Sequence, residues 1–362
     1  MPGIGKGPVL AKPLMRTALM AASVCCVGVA AIGWIGPPAI AALASPWMVQ
    51  VWVTLLVVVA LLAVVRARVA TVGLLVPLAL MSWWVIPVLR STEVPQPMRT
   101  MRIVFANVNA WNPPSDAAVE WIHASGADVV ALIECSPEWV EALRSASLDS
   151  APTWPLAVSR IEGQPIAGVA LLSRFPLRES RAVTSPVGRF PLADAIIDAP
   201  SGPVRILVAH PVPPLGPQAV ATRDSEIEWL ADLVSGSSVP AVVVADFNDT
   251  PFGRALRGFA ARSGMRSAAS VSGLVTTWPV SVRGVPVPAF ARIAIDHCFV
   301  SDELGVAGFA TGPDIGSDHL PLIIDIVQPG HMAGVGSGAK AVMPQGPTTG
   351  QVASFAQSPK LK

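Results

Sequence analysis

The chain has 362 residues, 52% hydrophobic and 14% charged, and its formal net charge of +1 conceals an uneven distribution. Residues 102–327 carry 15 Arg, no Lys and 23 Asp plus Glu, so 15 against 23 leaves −8, the wrong sign for a protein that grips long polyanions by counterion release. The length leaves room for more than one domain.

Charge-free stretches come first. Between Arg16 and Arg66 lie 49 uncharged residues, and between Arg68 and Arg90 another 21. Crossing a bilayer takes about 20 apolar residues, so the first gap holds two spans and the second holds one. The expected spans are 17–35, 47–65 and 69–89, with "GPPAIAALASP" as the turn between the first two because its Pro pair ends a helix. A buried core hairpin competes with this reading, but soluble domains seldom avoid charge for so long. So does a cleaved signal peptide ending at "ALA", 42–44, although its apolar run exceeds the usual length.

Lys6, Lys12 and Arg16 precede the first span, and Arg66 and Arg68 separate the second from the third. The positive-inside rule then puts the N-terminus in the cytoplasm and everything after about residue 90 outside it, in a multi-pass cell-membrane protein. Arg90, Arg99 and Arg102 run against that rule. No charge lies inside the spans, which excludes an ion pathway and with it a transporter. Cys25 and Cys26 fall in the first span. Cys135 and Cys298 are far apart in the later part and read as unpaired structural thiols, although export would permit a disulfide.

"STEVPQPMRT" reads as a linker, covering 91–101, and 102–327 as a globular domain. Strand-like "RIVFANV" precedes a helix at "PSDAAVEWIHASG", then comes strand "DVVALIE" and a Ser-capped helix at "SPEWVEALRSA". Strands follow at "PIAGVALLS", "RFPLADAIID" and "PVRILVAH", a helix at "PQAVATRDSEIEWLADLVSG", strand "PAVVVAD", a helix around 252–263, and strands near 293–300 and 320–326. Long apolar strands interleaved with helices mean a layered sheet-and-helix domain. The tail, 328–362, is rich in Gly, Pro, Ser and Ala without periodicity and is expected to be disordered, its His331 without chemistry.

Polar residues cluster where strands leave the core: "NVN" at 107–109, "IE" at 133–134, "AHPVPP" at 209–214, "DFN" at 246–248, "IDH" at 295–297 and "SDH" at 317–319. Asp246 and Asn248, two apart, project from one face of a strand. Glu134 follows a run of apolar residues, where a carboxylate must reach solvent or meet a cation. Each cluster alone is weak, since a strand-end Asn or Glu is usually structural. His297 points away from Asp296 if both lie on a strand.

In series, "DVVALIE", "GVALLSRFPL", "VADFNDTP", "IDHCFVS" and "SDHLPLI" resemble the endonuclease/exonuclease/phosphatase superfamily of deoxyribonuclease-I-like fold, over roughly 102–326. With its hydrophobic helices the chain looks like the membrane-anchored bacterial subgroup. The resemblance implies an α/β (α+β) four-layer sandwich, two mixed sheets packed face to face with outer helices, preceded by three transmembrane helices. It implies Glu134 as the principal Mg²⁺ ligand, with Mn²⁺ as a substitute, Asn107 orienting metal or phosphate, and Asp318 supporting the metal. Asp246 would position and deprotonate the attacking water, and Asn248 would hydrogen-bond a phosphate oxygen. His319, held by Asp296, would contact the scissile phosphate, and His210 would stabilise the phosphate or protonate the leaving group. These types suit phosphoester hydrolysis, which needs charge neutralised on equatorial oxygens and an in-line nucleophile. Ala245 stands where the family commonly has Gly. Asn109 stands where many members place an acidic second-site ligand, and the chain has no Tyr.

The expected function is therefore a membrane-anchored, Mg²⁺-dependent phosphoesterase. Its substrate is left open between nucleic acid and a phospholipid head group, its other partner is the lipid bilayer, and no protein partner is implied. The alternative is a catalytically inactive binding or scaffold protein on the same fold, a change that loss of Glu134, Asp246 or His319 would have signalled.

Overall fold

The structure is a computed structural model that describes residues 11–91, 99–145, 156–161, 164–188 and 191–328. Most of the expected linker and all but the first residue of the expected disordered tail, with His331, lie outside the described residues. Helices α1 (Ala11–Ile35), α2 (Pro38–Ala44), α3 (Met48–Val64) and α4 (Arg68–Leu89) come first. Three helical runs, Lys12–Ile35, Pro38–Val64 and Arg68–Leu89, are long and apolar enough to cross a membrane. The segment expected as a turn is mostly helix: only Gly36 and Pro37 break the chain, and α2 runs through a short 3-10 turn into α3. Pro38 sits at the first helical position, where its missing N–H costs nothing, and the Ala-rich run after it favours helix.

The rest alternates in chain order: β1 (Met101–Asn107), α5 (Asp116–Ala124), β2 (Val129–Ile133), α6 (Pro137–Ser145), β3 (Leu156–Ile161), β4 (Gln164–Ser173), β5 (Leu177–Thr184), β6 (Pro191–Ala199), β7 (Gly202–Ala209), α7 (Pro217–Ser235), β8 (Ala241–Asp246), α8 (Arg254–Ser263), β9 (Arg266–Ser267), β10 (Ser281–Val282), β11 (Val285–Pro286), β12 (Asp296–Val300), β13 (Gly305–Thr311) and β14 (Leu322–Val327). Two six-stranded sheets form, ordered β13-β14-β1-β2-β4-β3 and β5-β6-β7-β8-β12-β9, with β10 and β11 as a separate hairpin. Each sheet is mixed and holds one parallel pair at its centre, β1 with β2 and β7 with β8. The crossovers are α5 with its loops and α7 with its loops, as parallel pairing requires.

The sheets face each other. Ile103, Phe105, Val129 and Ala131 of one and Ile206, Val208, Val242 and Val244 of the other fill a common apolar layer, which also buries Cys298. The alternate side chains face outward. Val104, Val130 and Leu132 pack under α5 and α6 together with Cys135, while Leu207, Val243 and Ala245 pack under α7 and α8. A strand covered on both faces reads as a continuous apolar run, which explains "VVALI" and "AVVVA". This is the four-layer sandwich expected.

Strands β3, β5 and β13 were not expected. β5 is an edge strand with mostly exposed side chains, including Arg178, Glu179 and Arg181. β13 contains two glycines and a bulge between Val306 and Gly308. Neither pattern shows the alternation of a half-buried strand.

Helix α7 buries Glu226, whose Oε2 accepts from the Val212 amide at 2.8 Å, against Gly188, where a Cβ would collide with Oε1. Burial pushes this carboxyl from 4.5 up to about 7, opposed by the Val212 hydrogen bond. The native state then holds a proton that the unfolded chain has released, so stability falls as pH rises from 4.5 to about 7 and stays reduced above that. Glu226→Gln keeps the acceptor and removes the charge. Thermal melts at pH 5 and pH 8 are expected to show the variant gaining on the parent at the higher pH, by about 3 kcal/mol at most. An equal difference at both pH values would contradict this assignment.

Candidate active site

The topology brings the polar clusters to one rim. Asn107 ends β1, Glu134 follows β2, His210 follows β7 and Asp246 ends β8, so all four sit at the carboxyl ends of the two parallel pairs. Strand β12 runs antiparallel to β8 and begins with Asp296 opposite Asp246. Strand β14 runs antiparallel to β1, with Leu322 opposite Phe105, so Ser317–His319 arrive at the same rim. There Ser317 Oγ donates to the Asn107 carbonyl at 2.7 Å and accepts from the His319 amide at 3.1 Å.

Asn107 is 2% exposed. Its Oδ1 accepts from the Asn109 amide at 3.0 Å, which turns its NH2 toward Glu134 Oε1 at 3.0 Å and Asp246 Oδ2 at 3.4 Å. Asn107 thus presents donors to the carboxylates. Glu134 Oε2 accepts from the Ala110 amide at 3.2 Å. The Asp318 carboxylate stands behind, accepting from Asn109 Nδ2 at 2.8 Å and from Trp278 Nε1 at 3.0 Å. Three of the five non-glycine residues with positive φ among those described, Asn109 (59°), Glu134 (51°) and Asn248 (50°), lie in these loops. Asn tolerates this conformation, whereas Glu134 pays roughly 1–2 kcal/mol for it, strain of the kind that collects at functional sites.

Asp246 and Asn248 are joined by a turn and not by the pleat of one strand. The strand stops at Asp246, whose Oδ1 accepts from the Asn248 amide at 2.8 Å, while Phe247 is fully buried behind. One N–H of the Asn248 carboxamide donates to the Pro211 carbonyl at 3.1 Å, leaving the other for a ligand. The Asn248 carbonyl accepts from Arg223 at 2.7 Å. His297 turns to the other side of β12, its Nε2 3.0 Å from the Asp249 carbonyl and its ring against Phe247.

His319 Nδ1 lies 2.8 Å from Asp296 Oδ2, which also accepts from Thr277 Oγ1 at 2.5 Å. His319 Nε2 and His210 Nε2 each stand 3.8 Å from Asp246 Oδ2, and His210 Nε2 stands 3.9 Å from Glu134 Oε1. Those separations are too long for direct hydrogen bonds, so the two imidazoles and two carboxylates face a common space. Burial alone would lower the His319 pKa, but the Asp296 charge and hydrogen bond, followed by Asp246 and Asp318, raise it well above the ordinary value. Asp246 is raised first by burial and then by the Asp296 charge; His319 and the Asn248 amide oppose this, and Glu134 adds to it. The site is therefore short of positive charge, which a divalent cation would relieve, and its carboxylate oxygens suit a hard one. Donor atoms of Asp246, Asp296 and His319 lie within 4.8 Å of one another.

Thr277 and Trp278 escape sequence reasoning. They lie in "VTTWPV", where no charge or spacing marks them, and only the folded rim reveals that they hold Asp296 and Asp318.

Residues 104–319 match the Endonuclease/Exonuclease/phosphatase family. Among solved structures, an endonuclease/exonuclease/phosphatase from Bacteroides vulgatus is similar at 18% identity and a TM-score of 0.53, over 63% of this chain and 99% of that one. TDP2 from D. rerio, complexed with a single strand DNA product, gives 15% identity and a TM-score of 0.51 over 63% and 99%. An endonuclease/exonuclease/phosphatase from Beutenbergia cavernae gives 20% and 0.49 over 64% and 72%. At these identities the likeness is one of fold. No curated protein matches the chain.

Asp296→Asn removes the charge that holds the His319 proton. An NMR titration of His319 is expected to show its pKa moving down in the variant. An unmoved titration would mean that Asp296 is not the source of the shift.

Proposed function

The chain belongs to the Endonuclease/Exonuclease/phosphatase family, and from that premise we propose that it is a divalent-cation-dependent phosphoesterase held at a membrane surface. The observation that carries this is the convergence of Glu134, Asp246, His210 and the Asp296–His319 pair on one rim.

Glu134 is the primary carboxylate for Mg²⁺ or Mn²⁺, steadied by Asn107, with Asp246 beside it and Asp318 acting through Asn109. A bound divalent cation supplies neutralisation of charge on phosphate oxygens. The chain's own groups do the rest. Asp246 orients a water and accepts its proton as the water oxygen attacks phosphorus in line. The His319 imidazolium, fixed by Asp296, donates from Nε2 to a phosphate oxygen, and the second N–H of Asn248 donates to another. The P–O ester bond breaks, and His210 gives a proton to the departing oxygen.

Positive-inside charge supports a cytoplasmic N-terminus and an extracytoplasmic catalytic domain. Charge and the side chains around the rim support one substrate class over the other. The −8 balance disfavours long polyanions. Trp111 and Leu215 are exposed in the loops that carry Asn109 and His210, Phe290 is exposed beyond the β10–β11 hairpin that follows Trp278, and the Phe290 carbonyl accepts from Gln50 of α3 at 3.1 Å. Apolar side chains there suit an ester presented in a bilayer, so a phospholipid head group is preferred over nucleic acid.

The test uses the full chain in lipid nanodiscs, with bis-p-nitrophenyl phosphate, p-nitrophenyl phosphate, a fluorescent phospholipid in the disc and a single-stranded oligonucleotide, in Mg²⁺, Mn²⁺ or EDTA. Turnover is expected with metal only, falling at least about 100-fold in Asp246→Asn and His319→Ala. Turnover that survives EDTA and both variants would overturn the mechanism. No turnover of any ester would favour the binding-protein alternative, and a preference for the oligonucleotide would reverse the substrate reading.

A further inference from the structure

The loop that ends β8 has two loaded ends. Asp246 and Asn248 face the site, while Phe252, four residues past Asn248 and 2% exposed, leaves the globular core. Its side chain packs with Met48, Met81 and Val85 of the N-terminal helices. The Phe252 ring meets Trp84 of α4 edge-on, with centroids 5.6 Å apart and planes at 87°. Trp84 in turn stacks on Trp34 of α1 at 5.4 Å, and the Arg257 guanidinium of α8 stands 5.6 Å from the Trp84 ring centre. Trp84 is thus held by two of the apolar helices and by both ends of the segment 252–257.

Little slack separates Phe252 from the site. The Gly253 amide donates to the Thr250 carbonyl at 2.7 Å, and Asp249 Oδ2 accepts from the Leu256 amide at 3.1 Å at the start of α8. Asp249 and Gly253 are so close that a Cβ on Gly253 would collide with the carboxylate. The Asn248 carbonyl is pinned by Arg223 and the Asp249 carbonyl by His297. A displacement of Phe252 therefore reaches Asn248 through a braced segment.

The opposite lip of the site rests on the same helices. A Cβ on Gly273 would lie 2.5 Å from the Leu89 carbonyl, and Gln50 holds Phe290. Between those contacts lie Thr277 and Trp278, which hydrogen-bond to Asp296 and Asp318. These contacts form one seam between the apolar helices and the rim of the domain. Ser45 Oγ, Gln50 Oε1, Trp84 Nε1 and Thr250 Oγ1, buried polar atoms without a hydrogen-bond partner among the described residues, lie along it, each at a cost in free energy.

We infer that the apolar helices are a positioning element of the catalytic site, acting through Trp84 on Phe252 and the Asp246–Asn248 turn, and not only a tether. The effect on turnover rests on the phosphoesterase reading; the mechanical coupling does not.

The test compares the full chain in nanodiscs with Trp84→Ala, Phe252→Ala and the conservative Trp84→Phe. Turnover of bis-p-nitrophenyl phosphate, which needs no bilayer to present it, is read as separate kcat and KM. Hydrogen exchange is followed in 246–256, with 241–245 as the folding control. Both alanine variants are expected to lose kcat by about tenfold or more, since small misplacements cost that much, with KM little changed. Exchange should rise in 246–256 alone, and Trp84→Phe should restore both readouts. Unchanged kcat in a folded alanine variant would reduce the helices to a tether. If the parent itself has no turnover the functional reading fails, and exchange then decides the coupling: a rise confined to 246–256 upholds it, and no rise overturns it.

Discussion

The Asp296 carboxylate organises the rim. It lies across from Asp246 at the start of an antiparallel strand, accepts from Thr277, and holds the His319 ring by Nδ1. Bringing two buried carboxylates side by side is unfavourable unless positive charge lies between them. His319 supplies that charge, and its own elevated basicity comes from the pair it neutralises. Neighbouring placements follow from this contact. Ser317 fixes the turn that delivers His319, and Asn107 points its NH2 toward the carboxylates because its carbonyl oxygen is already engaged.

The sandwich makes that contact geometrically inevitable. Each sheet places one parallel pair at its centre, and the facing layers put the carboxyl ends of both pairs on the same edge. Two half-sites, Asn107 with Glu134 and His210 with Asp246, meet across the gap. The antiparallel neighbours β12 and β14 then enter from the same edge with Asp296 and His319. A rim assembled from six separate strand ends owes its precision to register, since a slip of one residue in a pair would turn a rim side chain such as Asn107 or Asp246 toward the core.

Much of this was legible in the chain. Doubly covered strands such as "AVVVAD" announce themselves as apolar runs, and the polar residues that interrupt them mark the rim. What stayed hidden had physical causes. β5 carries exposed charge and β13 carries glycines, so neither shows the alternation that betrays a strand. "GPPAIAALASP" looked like a turn because two prolines stop a helix, yet the second sits where a new helix starts. Thr277 and Trp278 act only through partners 19 and 40 residues away, and no local pattern encodes such distances. Asp246 and Asn248 are linked by a left-handed turn where the pleat of a strand was expected.

The charged edge of β5 acquires significance once the chain is held in a bilayer, as proposed here. Molecules confined to two dimensions meet their own copies far more often than the same number free in solution, and always with related orientations. An open strand edge is then a standing invitation to sheet-to-sheet association. Arg178 and Arg181 pair with Asp198 and Asp194 of β6 while staying exposed, and Glu179 is exposed between them. Charge along an edge strand disfavours its pairing with a copy of itself, so the lateral crowding that a membrane imposes need not become aggregation.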